Sequence, residues 1–561
     1  MGSTLNNKID NAIAKGQYEL AFKLLQSEFN NNPNDINTLF LCGLMLEKLK
    51  RSQEAFPYYI QVATKDPNNH QAYRSIGRLL KDDYQYFEAL KLFKKAYEVA
   101  PEDDQVNNDL AFIYGCLGMS KESIFHYEKA MSINPNQKDY YGALIFEKNK
   151  SETCSLEELL NLSKSLNDKF YEPYKKNNLK IINEFELSFQ KMNLDINRKI
   201  RLGFVSSDFN RHPVAYQIMP LMERLNKSKF EIFCYYNDTK KHNDWVTEIF
   251  SKNYNFKDIT KHTTKEAANL VNKDHIDILF DLNGYTSGER LEIFKLKPAP
   301  IQISYCGYFG TLAIPEIDYI FAGKNDIKEN EQKYHTEKIY YFPEISVHAQ
   351  LHAIPEQKVF EAPCIKNKTI TFASMNNLAK ISFDNIKIWS EILKQVDNSI
   401  FIFSSKTFKD IQSKEYFRSC LIKCGVDPAK LDLRDDMKRD DFLKTYDEID
   451  IALDPFPYTG SSTTVEALML GVPVITLEGN KWAARMTSTV LKACKADELI
   501  AYNKEEYIKK AVELASNPEK INYYRKNLQR KVLESSMNIE THSKNFEKAL
   551  LDIWQNYCTI R

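Results

Sequence analysis

Residues 449–466 read IDIALDPFPYTGSSTTVE, an apolar strand signal that breaks at a Pro, Tyr and Gly turn and reopens as a helix at Ser461, Ser462, Thr463 and Thr464. A helix start presents unpaired backbone N–H groups and the positive end of the dipole, so a hydroxyl-rich opening beside a glycine is suited to hold a diphosphate. Glu466, one turn into the helix, is placed to accept hydrogen bonds from ribose hydroxyls. The same residues also admit a structural role, in which Ser461 or Thr463 caps the helix and Glu466 complements its dipole.

Positioning such a loop requires a strand before it and a sheet around it. From Lys199 onward short apolar runs alternate with helical segments: IRLGFVSSDF, KFEIFCYYN, IDILFDLNGYT and IQISYCGYFG, then TITFASMNN, SIFIFSSK, IDIALDPFPYTG and VPVITL. This alternation predicts an α/β region of two doubly wound parallel sheets, with ligands held at the carboxyl ends of the strands. Residues from about 150 to 197 read as amphipathic helices without visible chemistry.

The first 140 residues carry a different signal. Pro33, Pro67, Pro101 and Pro135 are evenly spaced, at the period of a tetratricopeptide array, an α-solenoid. Gly43 with Ala55 and Tyr59, and Gly77 with Ala89 and Phe93, repeat in register; the unit ending at Pro135 has Ser123 where alanine is expected. Small residues let paired helices approach, aromatics fill the gaps, and proline stops the second helix. Three to four such repeats predict a docking surface for an extended peptide.

The 76 basic and 76 acidic residues balance, so the charge suggests neither a nucleic-acid nor a membrane-surface partner. No long apolar run and no leader at Met1 are visible, which gives a cytoplasmic expectation. Ten cysteines lack paired CxxC spacing and read as reduced thiols, with no metal site.

The segment DPFPYTGSSTTVEALMLGVPVIT resembles the nucleotide-binding segment of the O-GlcNAc transferase and SPINDLY family of protein glycosyltransferases. VSSDFNRHPV, LNGYTSGER, LKPAPIQISYCGYFGT, the IDY at Ile317–Tyr319 and MNNLAKIS follow in the family's order. The resemblance implies a GT-B fold of two Rossmann-like lobes. It also implies an inverting transferase that needs no metal or cofactor and moves a sugar from a nucleotide donor, best matched by UDP-GlcNAc, onto Ser or Thr of a protein docked on the repeats.

The resemblance also implies site residues. Lys380 matches the lysine that contacts the diphosphate and balances the departing charge, with Asn377 beside it. His212, with Asp208 in the same motif, matches the histidine at the sugar and acceptor end, where it would orient the acceptor or help take its proton. Ser462, Thr463 and Glu466 match positions that hold phosphate oxygens and ribose, and Gly460 would let the loop approach the ligand closely. Asn283, Gly284 and Tyr285 end a strand expected to face the cleft. Pro298, Ala299, Pro300 and Gln302 shape the next turn.

Three positions bear on donor choice. Phe442 stands where many relatives have a base-contacting histidine; Arg439 stands where animal enzymes have a phosphate-contacting lysine; and Tyr285 follows the animal rather than the bacterial and plant pattern. The stretch Pro343–Thr369 is too short for the large insert of the animal enzymes. A SPINDLY-like O-fucosyltransferase or other-sugar enzyme stays open, as does a tetratricopeptide scaffold that binds nucleotide without turnover. The expected domains are a repeat array at 1–140, a helical connector at 141–197, a first lobe at 198–350, and a nucleotide-sugar-binding lobe with closing helices at 365–561.

Overall fold

A computed structural model describes residues 2–239, 244–350 and 357–560. Met1, residues 240–243 and 351–356, and Arg561 lie outside the described residues, so part of the short Pro343–Thr369 stretch does too.

The chain divides into two compact units. One holds residues 1–140 with Ser405–Cys420. Its helices are α1 (Gly2–Ala14), α2 (Tyr18–Asn31), α3 (Ile36–Lys48), α4 (Ser52–Lys65), α5 (His70–Asp82), α6 (Tyr86–Val99), α7 (Asp104–Cys116) and α8 (Ser120–Ile133). They pair as consecutive hairpins, and Pro33, Pro67, Pro101 and Pro135 each fall just past α2, α4, α6 and α8. A Cβ on Gly43 would lie 2.7 Å from the Tyr59 ring, and one on Gly77 2.6 Å from the Phe93 ring. Glycine is therefore what lets each aromatic lie against the facing helix. At the alanine position of the last repeat, Ser123 is tolerated because its hydroxyl donates to the Ala111 carbonyl at 2.7 Å, which satisfies a fully buried group.

Ser405–Cys420 departs from the expected 365–561 lobe by grouping with these helices. The reason is local: Asp410 Oδ2 accepts from the Phe87 backbone N–H at 2.9 Å, at the start of α6, where Gln85 provides no side-chain cap. The rings of Phe87 and Tyr416 lie 5.3 Å apart.

The second unit begins within α9 (Lys138–Asn149), continues through the helices Leu156–Leu166 and Leu179–Gln190, and then forms two sheets. The first contains β1 (Ile200–Ser206), β2 (Phe230–Tyr236), β3 (Asn255–Asp258), β4 (Ile278–Asp281), β5 (Ile301–Ser304), β6 (Tyr319–Gly323) and β7 (Lys338–Phe342), in the order β3-β2-β1-β4-β5-β6-β7. The second contains β8 (Ile370–Ser374), β9 (Ser399–Ser404), β10 (Leu431–Arg434), β11 (Ile451–Leu453), β12 (Val474–Leu477) and β13 (Ile500–Ala501), in the order β10-β9-β8-β11-β12-β13. Every pairing is parallel, for example Leu202 with Ile278 and Ile451 with Phe372. Strand order reverses at β1/β4 and at β8/β11, so each sheet opens a crevice beyond those carboxyl ends.

The last helix, Ile539–Ile560, also departs from the expected second lobe. Ile539, Phe546, Leu550, Ile553 and Trp554 are buried with Leu202, Phe204, Phe280 and Phe321 of the first sheet. An amphipathic helix settles where an apolar face needs covering, and here that face belongs to the first lobe. The lobes are pinned together by Arg485, 1% exposed, which forks onto Glu331 at 2.8 and 2.5 Å and donates to the Asp326 carbonyl at 3.0 Å.

Candidate active site

In the second lobe β11 delivers Asp454 and then the loop to Gly460. Asp454 Oδ1 accepts from the Gly460 N–H at 2.8 Å and Oδ2 from the Thr476 hydroxyl at 2.7 Å, and burial pushes its carboxyl up to about 6. A Cβ on Gly460 would meet Thr464 Oγ1 at 2.5 Å and Asp454 Oδ1 at 2.9 Å. The glycine is thus required by the packing of the loop on itself, a reason different from the close ligand approach expected of it.

The helix Ser462–Met469 follows. Ser461 makes no side-chain cap, so the structural capping role weighed for it is not realised. The Thr463 hydroxyl donates to Asn376 Oδ1 at 3.1 Å, and that of Thr464 pairs with Thr487 at 2.8 Å. Ser461, Ser462 and Thr463 remain partly exposed at the helix start, which leaves an N–H-rich opening at the crevice of the second sheet.

Lys380 ends the short turn Leu378–Lys380 that follows β8. Its Nζ donates to the Thr459 carbonyl at 2.9 Å and lies 5.0 Å from the centre of the Tyr458 ring. Burial draws the amine down to about 8; Asp454 opposes that shift and Lys150 adds to it. Asn377, expected beside the ligand, accepts from the Ala379 N–H at 3.0 Å and caps this turn, as asparagine does when its carboxamide mimics a backbone turn. Its neighbour Asn376, which the sequence did not single out, is the one that touches the helix opening at Thr463.

Glu466 is 4% exposed, and its Oε1 accepts from Arg439 Nη2 at 2.5 Å. Burial raises the carboxyl and Arg439 opposes that. The Arg439 guanidinium also lies 5.7 Å from the Phe442 ring, which meets Tyr446 edge-on at 6.1 Å. The structure therefore gathers Asn377, Lys380, Arg439, Phe442, Gly460, Ser461, Ser462, Thr463 and Glu466 around the carboxyl ends of β8 and β11.

In the first lobe β1 delivers Ser207 and Asp208, and β4 delivers Asn283. Asn283 Nδ2 donates to Asp208 Oδ2 at 3.0 Å and to Ser207 Oγ at 2.8 Å, while its Oδ1 accepts from the Ser207 N–H at 3.0 Å. Asp208 Oδ2 lies 3.5 Å from His212 Nδ1. His212 caps the helix Pro213–Arg224, its Nδ1 accepting from the Val214 N–H at 3.3 Å. The imidazole is 44% exposed, against 17% for the carboxylate, so the ring is the member of the pair that solvent or an acceptor can reach. Burial lowers the imidazole and Asp208 opposes that; burial likewise raises the carboxyl. A neutral, reachable imidazole backed by a carboxylate can orient a hydroxyl or take its proton.

Tyr285 does not join this group. It is 7% exposed, its hydroxyl donates to the Leu312 carbonyl, and its ring packs edge-on against Tyr308. A buried phenol needs a partner for its O–H, and here the partner is backbone rather than a ligand in the cleft. Gln302 is likewise internal, donating to the Phe294 and Glu316 carbonyls at 2.8 and 2.9 Å. Among the described residues no cluster of His, Cys, Asp and Glu could hold a metal ion, and no helix is long and apolar enough to cross a membrane.

Comparison with known proteins bears on this arrangement. The profile of glycosyl transferase family 41 matches residues 174–364 and 353–546. The probable UDP-N-acetylglucosamine–peptide N-acetylglucosaminyltransferase SPINDLY of Solanum lycopersicum is 30% identical over 366 residues, 64% of this chain and 39% of that protein. The similarly named SEC of Arabidopsis thaliana is 29% identical over 375 residues, 64% and 38% of the two chains. The chain thus spans about two fifths of the length of these curated relatives. A solved variant of the Thermobaculum terrenum O-GlcNAc transferase superposes with a TM-score of 0.80 at 24% identity, covering 94% of this chain and 98% of that one. This likeness shows the fold, helical repeats followed by two GT-B lobes. Matched by the family profile across both lobes, the chain belongs to glycosyl transferase family 41.

Proposed function

We propose that this chain is an inverting protein O-glycosyltransferase that moves a sugar, GlcNAc from UDP-GlcNAc as the best fit, onto Ser or Thr of a protein docked on the tetratricopeptide repeats. Family membership and the likeness to the probable N-acetylglucosaminyltransferases SPINDLY and SEC support the reaction class and the donor. The observation that carries the reading is Lys380, an ammonium held against the Thr459 carbonyl directly before the helix opening at Ser461.

The acceptor hydroxyl attacks the anomeric carbon in line, its C–O bond forming as the bond from that carbon to the diphosphate oxygen breaks. The electron pair leaves on the diphosphate, where Lys380 and the N–H groups of Ser461–Thr463 meet the growing charge. His212, the reachable member of its pair with Asp208, orients the acceptor hydroxyl or helps take its proton. No metal or cofactor is assigned a part. Arg439 reaches the site through Glu466, leaving that carboxylate oriented for the ribose.

The test is nucleotide release with UDP-GlcNAc, UDP-glucose and GDP-fucose, supplied with a protein acceptor. UDP release from UDP-GlcNAc with sugar on Ser or Thr is expected; release only from GDP-fucose would move the chain to the fucosyltransferase reading. Release from none would favour the binding scaffold.

A further inference from the structure

The connector beyond the repeats showed no chemistry in the sequence, yet the end of α9 reaches the Lys380 turn from two directions. On one side, the Phe146 ring lies 6.2 Å from the Tyr458 ring, the same ring that Lys380 Nζ overlies at 5.0 Å. On the other, Lys150 Nζ approaches the carbonyl of Ala379, the residue before Lys380, at 3.5 Å. Lys150 is itself held in place: it is 8% exposed, pairs with Glu147 at 2.7 Å, and lies 5.6 Å from the Phe146 ring.

The residues between are anchored as well. Asn149 Nδ2 donates to the Phe309 carbonyl of the first lobe at 3.2 Å, and Lys481 of the second lobe donates to the Lys148 and Ser151 carbonyls at 3.1 and 2.5 Å. A buried lysine with a single carboxylate partner, fixed at both ends of its segment, cannot swing away to solvent without breaking these contacts. Glu147 Oε1 is buried with no hydrogen-bond partner, so this ion pair is incompletely satisfied, a costly arrangement that packing alone does not explain.

We propose that Lys150 is a positioning residue for Lys380: held by Glu147 at the Ala379 carbonyl, it fixes the Leu378–Lys380 turn and presents a second positive charge behind the lysine that meets the diphosphate. The catalytic meaning rests on the transferase reading above; the positioning itself does not. Two charged groups act on Lys380, Asp454 from the end of β11 and Lys150 from the end of α9, with opposite signs. Lys150 favours the neutral amine in the free protein. At neutral pH Lys380 is mostly charged, and near pH 8 an arriving diphosphate draws the remaining neutral fraction into the charged state, so that proton uptake accompanies binding there.

The experiment is competitive acetylation of the intact protein with trace acetic anhydride from pH 6 to 10, with the extent of reaction at Lys380 read by peptide mass spectrometry. In the wild type Lys380 should half-titrate near 8, the value to which burial and its neighbours draw it. Lys150→Met should move that midpoint up by about half a unit or more, while Lys150→Arg should keep it close to wild type. If Lys150→Met fails to fold, the paired variant Lys150→Met/Glu147→Gln removes both buried charges at once and is read in the same way. An unchanged midpoint in the folded Met variant, or an equal shift in the Arg variant, would overturn the proposal. Because the labelling needs no turnover, a wild type that releases no nucleotide would remove the transferase reading and leave this test intact.

Discussion

Arg439 donates through Nη2 to Oε1 of Glu466 at 2.5 Å, tying the short helix Arg439–Lys444 to the helix that opens at Ser462. Glu466 is buried and Arg439 about one third exposed, so the pair is held from the protein side and reachable from the solvent side. Removing the arginine leaves a buried carboxylate without its counter-charge.

Arg439→Ala is therefore expected to cost on the order of 2 to 4 kcal/mol in urea denaturation, whereas Arg439→Lys should recover part of it by restoring a charge without the planar fork. Calorimetric titration with UDP should show weaker binding for the alanine variant. Unchanged stability and unchanged affinity together would remove the pair from both the fold and the site.

Lys380 is drawn down to about 8, so it is charged below that pH and neutral above it. If the ammonium meets the leaving diphosphate, kcat/KM for nucleotide release, which reports the free protein, should fall as pH rises through about 8. A kcat/KM flat from pH 7 to 10 would show that the charge is not used.

His212 and Asp208 act as a pair, with Asn283 behind them. His212→Ala should lower kcat by roughly a hundredfold or more with the thermal transition unchanged, because the ring is 44% exposed. Asp208→Asn should lower kcat too and move the acid limb of the pH profile to lower pH, because the carboxylate raises the imidazole. Loss confined to KM would make the histidine a binding group instead.

Asp281, fully inside the first lobe, accepts from the Gly284 and Asn283 N–H groups at 2.9 and 3.3 Å, and burial pushes its carboxyl up to about 7. An unfolded Asp titrates near 3.9. Between those values the folded state holds the proton more tightly, so this residue's contribution to stability is largest at low pH and declines as pH rises toward 7. Urea midpoints at pH 5 and 7.5 should show that decline in the wild type and a smaller one in Asp281→Asn.

Much of this architecture was legible in the residues. The proline spacing gave the repeats because each proline must fall just after a helix it cannot join, and the Gly77 and Phe93 pairing is the same steric fact seen from both helices. The apolar runs gave β1, β2, β4, β5, β8, β9, β11 and β12. Polar, half-exposed β3, the two-residue β13 and the alternating β10 lacked a run long enough to see, whereas β6 (YIFAG) and β7 (KIYYF) carry apolar runs that went unread.

The site was legible where a loop motif dictates its own geometry, as from Asp454 to Glu466, and illegible where distant side chains decide. Tyr285 points to the Leu312 carbonyl, Asn376 rather than Asn377 reaches Thr463, and Lys150 meets the Ala379 carbonyl from a helix far away in sequence. The final helix was read with the second lobe, since nothing in its amphipathic pattern says which apolar face it covers.

In the proposed glycosyl transfer Lys380 carries the leaving-group charge. Nucleotide release from UDP-GlcNAc, measured in parallel for wild type and Lys380→Ala with folding checked by the thermal transition, tests it most directly. Release by the wild type and a loss of about a hundredfold or more in the variant are expected, equivalent to ~3 kcal/mol in the transition state. A folded variant that releases nucleotide at close to the wild-type rate would contradict it.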